Sequence, residues 1–224
     1  MIDVNAIFFR AANEVVSKEE RRYYLNGVYV QPHPDTGVLL TATDGHRLVC
    51  IHDQTGKCTK AAIIRVAARA ISGVKLQKNQ PDAPRLTVDK DGIVTCGNYR
   101  SVSSAVIDGT YPDYPRVLTP LVHGAVKKSY APAAFKPKYL AGFAKVAAIL
   151  GDPSAAMQLV IFAEGDPALF LFANAPEAFG VLMPMRHAMQ PALPAFMRPI
   201  VEPCMPKLEE QSAATRKPAK RKAA

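Results

Sequence analysis

The chain has 224 residues, 49% hydrophobic and 21% charged, a globular composition with enough apolar side chains for one large or two small cores. Its 28 Lys and Arg outnumber 19 Asp and Glu, for a net charge of +9, so a polyanionic partner is the first class to weigh. Cys50, Cys58, Cys96 and Cys204 show neither C-x-x-C nor paired-His spacing, which argues against a zinc or redox centre. No apolar run nears the ~20 residues of a membrane span and no secretory leader pattern is found, so a soluble, cytoplasmic protein without a cofactor is expected.

The excess charge is unevenly spread. Residues 1–118 hold 15 basic and 12 acidic residues, 119–206 hold 7 and 5, and 207–224 hold 6 and 2. The part that can fold is only mildly basic. Any nucleic-acid contact there depends on where a few cations stand, not on bulk charge.

Residues 4–18, "VNAIFFRAANEVVSK", place Ile7, Phe8, Ala11 and Val15 at helical spacing, and the strand-like stretches "YYLNGVYV", "GVLLTAT" and "RLVCIH" follow. "HPDTG" at 33–37 reads as a hairpin connection. Residues 60–73, "KAAIIRVAARAISG", predict a second helix with Ile64, Ala67, Ala68 and Ile71 on one face and Gly73 as its stop. "PRLTVD", "GIVTCG" and "SVSSAVI" come next as strands, with a tight turn at "DKDGI". "GTYPDYPRVLTP" at 109–120 carries three prolines and reads as an extended connection. A third helix over 136–150 stripes Tyr139, Phe143, Val146 and Leu150, and "MQLVIFA", "ALFLFA" and "FGVLMPM" follow as strands.

One helix followed by three strands, three times over, predicts an α+β fold with antiparallel sheets carrying helices on one face. From Ala188 onward, recurrent prolines and the final "TRKPAKRKAA" predict a disordered tail.

Each helix also carries cations away from its apolar stripe. Arg10 and Lys18 belong to the first, Lys60, Arg65 and Arg69 to the second, Lys138 and Lys145 to the third. A solvated face explains any one of them. Their recurrence on three helices suits contacts to phosphate oxygens, which are blind to base sequence. No zinc finger, RNP aromatic motif or helix-turn-helix pattern offers base reading.

"TATDGHRLV" at 41–49 is open to two readings from its residues alone: Asp44 with His46 as an acid/base or metal pair, or a buried strand end. No nucleophile or further ligand cluster accompanies the pair. Four stretches taken in order, "RRYYLNGVYV" (21–30) with "TATDGHRLV", then "DGTYPDYPRVL" (108–118), then "FGVLMPMR" (179–186), resemble the middle and last domains of the bacterial DNA polymerase III beta subunit, the sliding clamp family.

The resemblance implies a DNA-clamp fold: domains of two helix-plus-strands halves each, helices lining a central hole around duplex DNA, sheets outside. The implied activity is topological and not catalytic. A ring encircles duplex DNA without regard to sequence and tethers a DNA polymerase, the clamp loader and other clients through short hydrophobic peptides. It further implies that Leu25, Thr43, Gly45, His46, Arg47, Leu48, Pro112, Arg116, Val117, Val181, Met183, Pro184, Met185 and Arg186 form the peptide pocket. Adaptable Met side chains and apolar Leu and Pro walls suit that task, and Asp44 then serves to hold the Gly45 turn. Tyr23 and Tyr24, with Arg22 beside them, resemble a loop near the DNA path, where a ring can stack on a base.

The resemblance covers residues 1–187 yet amounts to one and a half domains: 1–118 as a complete domain like the family's middle one, 119–187 as the second half of its last, and 188–224 as tail. Three halves per chain in a twelve-half ring imply a tetramer, the orphan half pairing with its copy. The alternative is a module that keeps the pocket without forming a ring and competes for or adapts clamp-binding proteins.

Overall fold

α-Helices and thirteen strands organise the residues that the structure, a computed structural model, describes: 1–75, 83–101, 103–118, 133–151, 156–161 and 165–185. The chain opens with a strand that the sequence reading folds into its first helix. β1 (Ile2–Asn5) turns Ile2 and Val4 inward, 5% and 0% exposed, and α1 (Ala6–Asn13) begins directly after it. The Asn5 side chain accepts the Ile7 N–H at 2.9 Å, satisfying one of the donors that a first turn leaves open. The expected helix over 4–18 is thus shortened at both ends.

A 3-10 segment (Glu20–Leu25) occupies the start of the first expected strand. β2 (Val28–Pro32), β3 (Val38–Thr43) and β4 (Arg47–Asp53) then form an antiparallel meander. Gly37 supplies φ 74° at the first hairpin, where the His33 N–H donates to its carbonyl at 3.0 Å.

The predicted helix over 60–73 is overturned. After β5 (Lys57–Cys58), Ala62–Ile64 is a strand, β6, and only Ala68–Ile71 forms a single helical turn, α2. Ile63 and Ile64 are both buried, one in each of two hydrophobic clusters on opposite faces of the sheet, the signature of a strand. β6 also gives the outer edge of β2 its ladder partner, a demand that outweighs the helical spacing of the apolar residues. Arg65 and Arg69 therefore share no helix face; the Arg65 N–H donates to the Ala105 carbonyl at 2.8 Å.

β7 (Arg85–Val88) and β8 (Val94–Cys96) form the hairpin expected at "DKDGI". The Asp89 carboxylate accepts the N–H groups of Asp91 and Ile93 at 3.0 and 2.9 Å, and Gly92 takes φ 79°. The strand expected at 101–107 is reduced to β10 (Val106–Ile107), while β9 (Tyr99–Arg100) lies ahead of it. α3 (Pro137–Ile149) starts on a proline at its first position, where the missing N–H costs nothing. β11 (Met157–Val160), β12 (Ala168–Phe172) and β13 (Ala178–Leu182) follow as a second meander.

Two antiparallel sheets result, in the orders β5-β1-β7-β8-β9 and β10-β6-β2-β3-β4-β13-β12-β11. The first two helix-plus-strands units exchange strands: β1, ahead of α1, lies beside β7, and β6, ahead of α2, lies beside β2. The third unit joins the first edge to edge, β13 on β4, from Ala178 opposite Ile51 to Leu182 opposite Arg47. The main core lies between helices and sheets and includes Phe9, Leu40, Ile51 and Phe143. Phe143 stacks on Phe170 with ring centres 4.6 Å apart. A smaller cluster, with Leu25, Leu48, Tyr111, Tyr114 and Val181, packs on the other face of the larger sheet.

Candidate functional site

The seam between β4 and β13 positions the candidate site. Alternation along β4 sends Val49 and Ile51 into the main core and Leu48 and Cys50 to the opposite face, where Leu48 meets Leu25 and Val181. Segment 108–118 lies over this smaller cluster, with Tyr111 and Tyr114 8% and 6% exposed. Tyr111 stacks on Tyr29 at 4.6 Å between centroids, and the Tyr114 hydroxyl accepts Gln31 Nε2 at 2.9 Å. Burial pushes the Tyr114 phenol up to about 12 and raises Tyr111 as well.

Between this segment and the strand ends lies an open, mostly apolar cavity of about 250 Å³. Leu25, Leu48 and Val181 form its floor at 3%, 5% and 2% exposure, while Val117 and Met183 stand on its rim at 38% and 42%. Thr43, Gly45, His46, Arg47 and Pro112 complete the expected residues found there. Arg116 does not line it; its guanidinium pairs with Asp113 at 2.7 Å on the open surface. Pro184 and Met185 follow Met183 outside the lining, Met185 donating its N–H to the Ala134 carbonyl at 2.8 Å. Arg186 and the tail from 188 lie outside the described residues. Asp113 and Tyr114 line the cavity without having been expected; reading "TYPDYP" only as a proline-rich connection hides the two tyrosines that fix it in place.

Asp44 holds the turn at the strand end. Its Oδ1 accepts the N–H groups of His46 and Arg47 at 3.0 and 3.1 Å, and its Oδ2 accepts Arg47 Nε at 3.1 Å. Gly45 takes φ 86°, and a Cβ there would meet Arg22 Nη1 at 2.6 Å. With both carboxylate oxygens engaged by the turn, Asp44 is built into the loop and not aimed at a reactant. Arg47 reaches further, donating to the Glu14 carbonyl at 3.2 Å and the Tyr139 carbonyl at 3.4 Å, with the Tyr139 ring 5.4 Å from its guanidinium carbon.

On its other side Arg47, with His46, lines a second cavity of about 440 Å³ between the end of α1 and α3. Lys18, Lys136, Lys138 and Lys145 converge there, partly offset by Glu14, Glu19 and Asp44. Three of the expected cations are thereby brought together, and Lys136 joins them. The others stand apart: Arg10 donates to the Val74 carbonyl at 2.7 Å, Lys60, Arg65 and Arg69 are exposed around β6 and α2, and Arg22 pairs with Glu19 at 3.5 Å. Tyr23 is 52% exposed, edge-on to the half-buried Tyr24 at 5.8 Å. Among the described residues no group of three His, Cys, Asp or Glu side chains has the arrangement of a metal site, and no helix is long and apolar enough to cross a membrane.

Residues 8–113 match the family model of the DNA polymerase III beta subunit, central domain. The beta sliding clamp of Caulobacter vibrioides is 32% identical over 108 residues, 46% of this chain and 29% of that protein. That of Haemophilus influenzae is 30% identical over 128 residues, 53% of this chain and 34% of that one. The chain thus spans about a third of the length of the curated relatives it matches. The crystal structure of a sliding clamp from Bartonella birtlesii bound to griselimycin superposes with a TM-score of 0.57 at 20% identity, covering 81% of this chain and 64% of the other. The beta subunit of Streptococcus pyogenes gives 0.58 at 12% identity, over 84% and 66%. The matched central domain and the shared fold converge: the chain has the fold of the sliding clamps, and residues 8–113 are similar to the central domain of the DNA polymerase III beta subunit.

Proposed function

We propose that this protein is a sliding clamp that encircles duplex DNA and tethers a polymerase, a clamp loader and other clients by short hydrophobic peptides. The observation that carries the reading is the apolar cavity at the β4–β13 seam, where Leu25, Leu48 and Val181 floor a groove rimmed by Pro112, Val117 and Met183. An adaptable Met beside fixed apolar walls suits peptides of varied sequence. At its edge His46 offers a hydrogen bond to a peptide backbone, while Arg47 and Thr43 hold the strand end in place. Met185, Pro184 and Arg116 extend the contact beyond the groove.

DNA contact falls to Lys18, Lys138 and Lys145 around the helix-side cleft, together with Arg10, Arg22, Lys60, Arg65 and Arg69 and the Tyr23–Tyr24 pair. Such contacts to phosphate are weak singly and allow sliding. In this reading residues 1–118 are one whole clamp domain and 119–187 half of another. Four chains supply the twelve halves of a ring. The role is mechanical, with no catalytic residue.

The test compares retention on closed circular and linear duplex after loading. Retention on circles that is lost when they are cut supports the clamp. Equal behaviour on both forms, with client-peptide binding intact, would instead establish an interaction module that keeps the pocket without the ring.

A further inference from the structure

The two sides of the apolar groove are built differently. Its floor includes sheet residues, with Leu48 on β4 and Val181 on β13 at 5% and 2% exposure. Pro112 and Val117 come instead from segment 108–118. Within that segment the Tyr114 N–H donates to the Pro112 carbonyl at 2.8 Å and the Val117 N–H to the Tyr114 carbonyl at 3.0 Å. Pro112, Tyr114 and Val117 therefore move together, and whatever fixes Tyr114 fixes the wall.

The fastening lies two strands away from the floor, in the order β2-β3-β4. Tyr29 and Gln31 alternate on β2 and so share a face. The Tyr29 ring stacks on Tyr111 with 6° between their planes, and Gln31 Nε2 donates to the Tyr114 hydroxyl at 2.9 Å. On β3 the Thr41 carbonyl accepts the Tyr111 hydroxyl at 3.3 Å. Tyr29, Gln31 and Thr41 all stand outside the groove lining.

We propose that Gln31 is a positioning residue for the peptide groove: by holding the Tyr114 hydroxyl it sets how far Pro112 and Val117 stand from the β4–β13 seam, and so how tightly the groove closes on a hydrophobic peptide. The inference rests on the groove reading given above and adds a residue that touches no peptide. Tyr114 is 6% exposed, so water cannot readily replace a donor that its phenol loses. Thr41 and Cys50 are the other side chains in its reach. Without Gln31 the phenol settles toward them and carries the wall with it.

Binding of a fluorescein-labelled pentapeptide, Gln-Leu-Ala-Leu-Phe, to the full chain, read by fluorescence anisotropy, tests this. Its Leu and Phe suit the apolar floor and its Gln suits His46. Gln31→Leu is expected to weaken binding about three- to ten-fold, the worth of one net hydrogen bond, chiefly through faster release. Gln31→Glu, whose carboxylate accepts from the phenol, restores the parent's affinity. Tyr114→Phe weakens binding as well, and adding Gln31→Leu to it costs nothing further, because both remove the same bond. Lost stability alone gives a different pattern: Val88→Ala, a truncation in the core of the other sheet, lowers the unfolding midpoint and leaves the affinity unchanged. A Gln31→Leu affinity equal to the parent's, a Gln31→Glu affinity as weak as that of Gln31→Leu, or equal weakening by Val88→Ala overturns the proposal. A parent chain that does not bind the pentapeptide sinks the groove reading and this inference with it, whereas the expected pattern without retention on circular DNA supports this inference and sinks the ring alone.

Discussion

The guanidinium of Arg47 stands between the two cavities, yet its donors are committed to carbonyls at the end of α1 and in α3 as well as to Asp44. Its side chain is 12% exposed, so it ties the first and third units together before it meets any ligand. Gly142 makes room for it, because a Cβ at that position would collide with Arg47 Nη1. Gly142→Ala is expected to lower the unfolding free energy by about 1–3 kcal/mol, the range for orphaning buried hydrogen-bonding groups. Urea unfolding measures it, and Arg47→Ala added to Gly142→Ala should cost less than Arg47→Ala alone, since both act on the same contacts. Tyr114 sets a pH limit. Its folded phenol is raised to about 12 from 10.0, chiefly by burial, so between those values the folded state holds a proton that the unfolded chain releases. Stability on this account is full below the unfolded value and falls as pH climbs toward the folded one. Tyr114→Phe removes that contribution to the alkaline decline, and unfolding curves taken across this window should show a shallower slope than the parent's.

Among the elements, the meanders were legible and the short pieces were not. β2–β3–β4 and β11–β12–β13 announce themselves by alternating apolar residues, and Gly37 and Gly92 mark hairpins because their positive φ favours glycine. "AAIIRVAARAI" misleads because its apolar residues fit helical spacing while Ile63 and Ile64 also suit a two-faced strand. The choice was made by the open edge of β2, a partner that local sequence does not contain. β1 was hidden for a similar reason, being four residues that acquire a sheet only from β7. The pocket's Leu, Val and Met members came from resemblance to a family, whereas Tyr111 and Tyr114 owe their places to long-range contacts with Tyr29 and Gln31. The third unit depends on Phe143, 0% exposed and stacked on Phe170. Gly180 lets the ring approach, since a Cβ there would lie 2.5 Å from Phe143 Cε1. Phe143→Ala is expected to cost about 3–5 kcal/mol, the range for emptying a buried aromatic site. Denaturant unfolding checks it, and a loss under ~1 kcal/mol would contradict the packing described.

For the molecule as a whole, the issue is whether a mildly basic body can hold DNA. Bulk charge does not settle it, because residues 1–118 carry an excess of only three positive charges and much of the remainder lies in 207–224. Placement does more: Lys18, Lys136, Lys138 and Lys145 gather at one cleft, and the two on α3 are held on a stiff rod. Lys138 is further steadied over the Tyr139 ring at 4.8 Å. Each lysine that neutralises a phosphate releases a counterion, so the logarithm of affinity falls with the logarithm of salt by about 0.9 per contact. Replacing Lys138 and Lys145 together by Gln should therefore flatten that slope by about 2, without altering binding of a hydrophobic client peptide, since neither lysine lines the apolar groove. Salt titrations of DNA affinity for parent and double variant measure the difference. An unchanged slope would take DNA away from this cleft, whereas a loss of peptide binding alongside it would mean that the substitutions disturb α3 and, through Tyr139 and Arg47, the strand end that both cavities share.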